Sequence, residues 1–217
     1  MAEVFTVVTG AAAPLLRPNI DTDTISPGSK PRRAGTKDEF GEKGSATLAQ
    51  DLFANWRYDI DGKEIPDFII NRPGFREARI LLAGENFGCG SSRESAVWML
   101  KEWGFRCVVA PSFGEIFYNN CFTNGVLPLV QPEAVVRELA AEAAPGAPDA
   151  LFTVDLGAET LTTPSGRVIR IAVPGFRRRG LLEGLDEIAV TLCERERIEA
   201  FLAEARRSRP WAYGDAL

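Results

Sequence analysis

The stretch from Asn86 to Ser95, NFGCGSSRES, combines residue types that can bind an anion. A glycine such as Gly90 permits positive φ and lets a ligand approach the backbone closely. If a helix opens near Ser91 and Ser92, its unpaired N–H groups and partial positive charge attract a carboxylate or phosphate. Arg93 adds a guanidinium that can hold a carboxylate through two parallel hydrogen bonds. The stretch therefore predicts a site for a small anion.

The same donors bear on the chemistry of a serine hydroxyl. An alkoxide at Ser91 would be stabilised as an oxyanion is, so this residue is a candidate base. The alternative is that Ser91 or Ser92 only caps a helix that has Glu94 or Ser95 in its first turn. Neither glycine-rich nucleotide fingerprint is present. Cys89 is a weaker candidate, since the chain has no histidine to activate it.

Composition restricts the function classes. A chain without histidine has no Ser-His-Asp triad and no histidine metal site. The four cysteines form no C-x-x-C pair, so we predict reduced thiols and neither a zinc site nor a self-contained iron–sulfur site. A net charge of -5 argues against nucleic acid as the main partner. Apolar runs are too short to span a membrane, and we predict a cytoplasmic protein.

The elements around the glycine-serine stretch follow from hydrophobic periodicity. Arg79 to Ala83 reads as a strand, Ser91 to Trp103 as a helix and Cys107 to Ala110 as a second strand, which predicts parallel pairing. Further helix and strand patterns lead to a predicted β meander in the 151–173 region and then to two helical runs. We predict a mixed α/β fold in a single domain, 1–217, with a C-terminal helical extension at about 186–209.

The N-terminal part has less regular patterns. Prolines at 14, 18 and 27 favour extended or turn backbone over helix around IDTDTISP. The polar segment from Lys30 to Ala46 predicts a surface loop. Leu48, Leu52, Phe53 and Trp56 then recur at helical spacing.

Several motifs in a consistent order resemble the small subunit of bacterial 3-isopropylmalate dehydratase, a relative of the mobile fourth domain of aconitase. They are IDTDTISP, LFANWRY, PDFIINRP, ARILLAGENFGCGSSRE and APSFGEIFYNNCFTNGVLPLV. The resemblance covers most of Arg17 to Val130. It implies a swivelling β/β/α domain of aconitase type, with a mixed sheet and flanking helices. It also implies a large aconitase-type subunit as partner, in a heterodimer or heterotetramer, and a 4Fe-4S cluster held by that subunit.

The resemblance assigns roles to individual residues. Ser91 matches the serine base, which removes a proton from carbon. Ser92 and Arg93 match contacts to a substrate carboxylate, in the turn that includes Gly90. Asp23 matches an aspartate that pairs with a catalytic histidine of the large subunit. The alternatives are that Asp23 only caps a turn and that Arg93 only pairs with Glu85 or Glu94.

Two departures from the family pattern concern substrate choice. Ser95 stands where family members usually have histidine; it can make a similar hydrogen bond or alter the anion pocket. The segment after DTDTISP is longer and more polar than usual and carries Arg32 and Arg33. These arginines could contact a second substrate carboxylate, or they could be solvated surface charges.

We therefore predict the small subunit of a heteromeric hydro-lyase that isomerises or hydrates a substituted malate through an unsaturated diacid, with leucine biosynthesis as the first choice. The substrate is a small dicarboxylate or tricarboxylate. Related activities on citraconate or 2-methylmalate, on homoaconitate or on a malate of secondary metabolism remain open. The alternative of another class is a non-catalytic, anion-binding regulatory module.

Overall fold

The computed structural model describes residues 3–28, 48–143 and 150–213. Its strands form two four-stranded sheets. One sheet is parallel, with the order β2-β3-β4-β5, and the other is antiparallel, with the order β1-β6-β7-β8. The strands are β1 Val7–Gly10, β2 Ala12–Leu15, β3 Ile80–Ala83, β4 Cys107–Ala110, β5 Leu127–Val130, β6 Phe152–Asp155, β7 Thr160–Thr162 and β8 Val168–Arg170.

Helices cover both faces of the parallel sheet and follow the antiparallel one. Short 3₁₀ turns occur at Ile69–Asn71, Pro73–Phe75 and Pro210–Ala212. The α-helices of the described residues are α1 Thr22–Ile25, α2 Leu48–Asp51, α3 Ala54–Arg57, α4 Ser95–Trp103, α5 Glu115–Thr123, α6 Glu133–Ala143, α7 Gly175–Glu183, α8 Glu187–Leu192 and α9 Arg195–Ser208. No helix in these three described ranges is long and apolar enough to cross a membrane.

Side chains that alternate along the parallel strands divide the interior into two cores. Leu81 and Val108 pack on the α4 side, together with Leu100 and Phe117. Leu82 and Val109 face the opposite core, which α6, α7 and the antiparallel sheet complete. All four residues of β3 and of β4 are buried, as expected for parallel strands covered on both faces. The strands that lead to the glycine-serine stretch are therefore rigidly packed.

The mixed α/β class is confirmed, with the parallel and antiparallel strands in two separate sheets. The β3-α4-β4 unit and the meander of β6, β7 and β8 are also confirmed. The helices α8 and α9 fall within the predicted 186–209 extension. The loop predicted from Lys30 to Ala46, with Arg32 and Arg33, lies outside the described residues.

Three local predictions are wrong. The helix expected from Ser91 begins only at Ser95, because tertiary contacts hold the preceding turn. A short helix forms at Thr22–Ile25, where only extended or turn backbone was predicted; the carboxylate of Asp21 caps it by accepting from the N–H of Thr24, at 2.7 Å. The apolar pattern from Leu48 to Trp56 does not form one helix, since Phe53 has φ 51 and separates α2 from α3.

Candidate functional site

Loops that follow three neighbouring parallel strands meet at one edge of the sheet. The N–H of Gly88 donates to the carbonyl of Ile20 at 2.7 Å, and the N–H of Thr22 donates to the carbonyl of Cys89 at 3.0 Å. On the other side, Phe87 forms a parallel bridge with Phe113. The turn after β3 is thus held between the loops after β2 and β4. Open α/β sheets commonly bind ligands at this carboxyl edge.

Two glycines allow this close approach of loops. Gly88 has φ +73, and a Cβ there would lie 2.2 Å from the ring carbon Cγ of Phe117. Gly90 has φ +90, and a Cβ there would lie 3.4 Å from the Cβ of Asp21. Both positions favour glycine for conformation, and the first also for space. The predicted substrate-binding residue Gly90 therefore shapes the backbone beside Ser91.

The predicted base, Ser91, is exposed. The hydroxyl of Thr22 lies 3.0 Å from the Ser91 carbonyl oxygen, to which it donates, and also 3.0 Å from Ser91 Oγ. Thr22 is 1% exposed. Ser91 therefore lies at the surface, while the threonine that contacts its hydroxyl is fixed in the interior.

Neither Ser91 nor Ser92 caps the helix, which begins three residues after Ser92 with Glu94 in the cap position. Within the described part of the chain, no group accepts a hydrogen bond from the backbone N–H of Ser91 or Ser92. Ser92 is also exposed. The two amides remain available to an anion, although they belong to a turn and not to the first helical turn.

Arg93 reaches back to the loop after β2. Its Nη1 lies 2.5 Å from Asp23 Oδ1 and donates to the Ser26 carbonyl at 3.1 Å. Its Nε and Nη2 donate to no atom of the described residues. The ion pair is with Asp23 and not with Glu85 or Glu94. One edge of the guanidinium is therefore anchored, and its remaining donors can bind a carboxylate.

Asp23 does not cap the turn, because Asp21 performs that role. Its side chain is 59% exposed and pairs with Arg93. The structure thus brings Asp23, Ser91, Ser92 and Arg93 together at one surface. Arg32 and Arg33 belong to the undescribed segment.

Two further residues of this edge were not singled out from the sequence. Thr22 contacts Ser91, and the hydroxyls of Ser26 and Ser95 lie 2.9 Å apart. Ser95 therefore makes a side-chain hydrogen bond to the loop that follows β2. Each contact joins residues that are 69 positions apart in sequence. The sequence alone does not show that IDTDTIS and SSRES are neighbours in the fold, so it could not identify either contact.

The described residues form no metal site at this edge of the parallel sheet. No group of three or more Cys, Asp or Glu side chains within them could hold a metal ion. Burial raises the pKa of the Cys107 and Cys121 thiols well above their usual range, which keeps them protonated. These residues therefore do not fit the role of holding an iron–sulfur cluster.

A cavity of about 270 Å³ lies between the carboxyl ends of the strands and α6. Gly84, Glu85 and Arg137 are among its lining residues, whereas Ser91 and Arg93 are not. The candidate site is thus an open surface, separate from this cavity.

Comparisons with known proteins agree with the geometry. Residues 2–134 match the family described as the aconitase C-terminal domain. The chain is 50% identical over 98% of its length to the whole of a 3-isopropylmalate dehydratase small subunit from Rhodospirillum centenum. It is 48% identical over 95% of its length to 98% of the protein with the same name from Jannaschia sp.. A crystal structure named as 3-isopropylmalate dehydratase, from Methanocaldococcus jannaschii, aligns with a TM-score of 0.56 and 27% identity over 89% of this chain and 98% of that one.

Proposed function

Since this chain belongs to the family of 3-isopropylmalate dehydratase small subunits, we propose that its exposed edge is half of an active site for the dehydration of 3-isopropylmalate in leucine biosynthesis. The relatives named for this activity align with almost the whole chain. That extent of identity favours 3-isopropylmalate over the other substituted malates. The partner is a large aconitase-type subunit, which completes the site.

The observation that carries the proposal is the exposed residue Ser91, which lies beside Arg93 and the available backbone amides. A base that must reach a carbon atom has to be accessible, and a diacid substrate needs a cation that fixes its orientation. An open surface also fits a site that a second subunit covers, because closure would exclude water and strengthen the electrostatic contacts.

The residues of this chain divide the work as follows. Arg93 and the amides of Ser91 and Ser92 bind a carboxylate of the substrate and orient it. Ser91 Oγ, as the alkoxide, takes a proton from carbon, and the electron pair of the broken C–H bond forms the C=C bond. The C–O bond breaks with its electron pair, and the leaving hydroxide becomes water by taking a proton from an acidic group that we assign to the large subunit. Assisting that departure is the role of the 4Fe-4S cluster, which we assign to the large subunit.

Asp23 is assigned to the subunit interface. Its second carboxylate oxygen has no partner within the described residues, and the side chain is more than half exposed. A carboxylate in that position can accept a hydrogen bond from a histidine of the large subunit and fix the orientation of its ring. Asp23 would then connect the anion site of this chain to the groups on its partner.

A substrate panel tests the proposal. The chain and its large subunit are combined under anaerobic conditions, and the ultraviolet absorbance of the conjugated diacid is followed with 3-isopropylmalate, 2-methylmalate, citraconate and homoaconitate. We expect turnover only when both chains are present and the highest kcat/KM with 3-isopropylmalate. Full turnover by this chain alone, or a preference for another acid, would contradict it. Carboxylate binding without any turnover by the complex would favour a regulatory module.

The base assignment has its own test in the assembled complex. We expect Ser91→Ala to lower kcat by about 10²–10⁴-fold, since loss of a general base has effects of that size. Ser165→Ala, in the exposed turn between β7 and β8, serves as the control and should leave kcat unchanged. Size-exclusion chromatography checks that both variants still assemble. A Ser91→Ala complex with normal kcat would remove the assignment.

A further inference from the structure

We propose that Thr22 is the positioning residue of Ser91 and that its buried hydroxyl holds the serine oxygen in both protonation states. The inference rests on the proposed function, because it concerns the same serine. Thr22 lies within IDTDTISP, and the role inferred for it follows from its contacts.

The geometry gives one hydroxyl proton two acceptors at equal distance. Thr22 Oγ1 lies 3.0 Å from the carbonyl oxygen of Ser91 and 3.0 Å from its Oγ. While Ser91 is protonated, Thr22 donates to the carbonyl and its oxygen can accept the serine proton. When Ser91 is an alkoxide, rotation about the Cβ–Oγ1 bond turns the Thr22 proton toward the charged oxygen. The exchange needs no movement of heavy atoms.

The backbone holds Thr22 in place for this exchange. Its N–H donates to the Cys89 carbonyl at 3.0 Å, and its carbonyl accepts from the N–H of Ser26 at 2.9 Å. It is the first residue of α1, directly after the capping Asp21. With the side chain 1% exposed, water does not compete for its hydroxyl. A fixed donor of this kind needs little reorganisation when charge develops on its partner.

No proton leaves Thr22 in this scheme. The proton taken from the substrate carbon ends on Ser91 Oγ, and the Thr22 proton stays on Oγ1 while its acceptor changes from the alkoxide to the carbonyl. Thr22 thus acts through Ser91 alone. Its loss should lower the rate of proton abstraction and leave binding of the substrate carboxylate unaffected.

The test compares substitutions at position 22 in the assembled complex. Thr22→Ser keeps the hydroxyl and Thr22→Ala lacks it, and these two side chains otherwise have the same carbon skeleton. We expect Thr22→Ala to lower kcat by about 10²-fold, the effect of losing one oxyanion donor, with KM within about twofold of the wild-type value. Thr22→Ser should retain kcat within about threefold. Thr22→Val, with the shape of threonine, should resemble Thr22→Ala.

A kinetic isotope effect separates this role from simple packing. With substrate deuterated at the carbon that loses its proton, the isotope effect on kcat should be larger in Thr22→Ala than in the wild type, because proton abstraction becomes more rate-limiting. A packing defect that only reduced the amount of folded complex would leave the isotope effect unchanged. Equal losses in the Ser and Ala variants would overturn the inference.

Ser91→Ala distinguishes the failure of this inference from failure of the proposed function. If Ser91→Ala is inactive and Thr22→Ala has normal kcat, Thr22 has no such role and the base assignment survives. If Ser91→Ala has normal kcat, both are overturned.

Discussion

Two arginines, Arg57 and Arg93, differ in burial and in the number of hydrogen bonds that they donate within the protein. Arg57, at the end of α3, has a side chain that is 3% exposed, whereas that of Arg93, in the turn before α4, is 40% exposed. Both donate hydrogen bonds to backbone carbonyl groups. The difference is in how many of their N–H donors the protein itself uses.

The donors of Arg57 bind other groups of the chain. Nε donates to Asn71 Oδ1 at 3.0 Å, and Nη1 donates to the carbonyl of Ala49 at 3.2 Å. Nη2 lies 3.6 Å from Glu64 Oε1, and the guanidinium carbon stands 4.4 Å from the ring centroid of Trp103. Such an arginine holds loops together and leaves little capacity for a ligand.

Arg93, by contrast, is anchored through Nη1 alone among the described contacts. The anchor fixes the orientation of the guanidinium plane and leaves its other edge for a carboxylate. The comparison teaches that a buried arginine with many partners is structural, and that a half-exposed arginine with one anchored nitrogen is suited to binding.

Arg57→Met should produce the largest change that this comparison predicts. Removal of the guanidinium leaves buried acceptors, including Asn71 Oδ1, without their donor, and we expect the free energy of unfolding to fall by about 3 kcal/mol. Urea denaturation of the full chain measures it. Arg137→Met is the control, because among the described residues this exposed arginine pairs only with Glu133 in its own helix, and its loss should cost less than about 0.5 kcal/mol. Equal stability of the two variants would break the comparison.

Arg93→Lys should affect substrate binding and leave stability nearly unchanged. Lysine keeps the charge and loses the paired donors, and one charge-assisted hydrogen bond contributes about 1.5–3 kcal/mol, so KM should rise about 10- to 100-fold. Steady-state kinetics of the complex tests this.

Arg167→Lys is the matched control for that measurement. Arg167 is 46% exposed and pairs with Glu138, which is distant from the glycine-serine turn in sequence and belongs to α6. Its variant should keep the wild-type KM. An unchanged KM in Arg93→Lys would show that Arg93, like Arg57, serves only the structure.

The sequence identifies which residues form the binding region, but it does not predict which other residues they contact. Glycines, serines and an arginine after a buried strand carry their own conformational and chemical preferences, which local reasoning can use. The start of α4 could not be placed in this way, because Ser91 looks like a helix cap until the contact with Thr22 is known. That contact forms only when β2 and β3 pair, so it depends on tertiary structure and not on spacing.

The burial of Arg57 likewise depends on tertiary contacts that the sequence does not show. Nothing in LFANWRY marks its arginine as buried, since arginine is usually exposed. Its burial depends on Asn71 and on the carbonyls of a neighbouring turn. Both arginines were visible in the sequence, but the number of their partners was not.

Asp23→Asn should have only a small effect on stability. Its ion pair with Arg93 is formed by two side chains that are 59% and 40% exposed, and solvent screens such pairs, so we expect the free energy of unfolding to fall by less than about 1 kcal/mol. Glu138→Gln, which breaks the similarly exposed pair with Arg167, should give a comparable value. Because only Asp23 is assigned to the subunit interface, the two variants should differ in the kcat of the complex, which should fall in Asp23→Asn alone. A loss of more than about 2 kcal/mol in Asp23→Asn with normal kcat would make the pair structural and place Arg93 in the same class as Arg57.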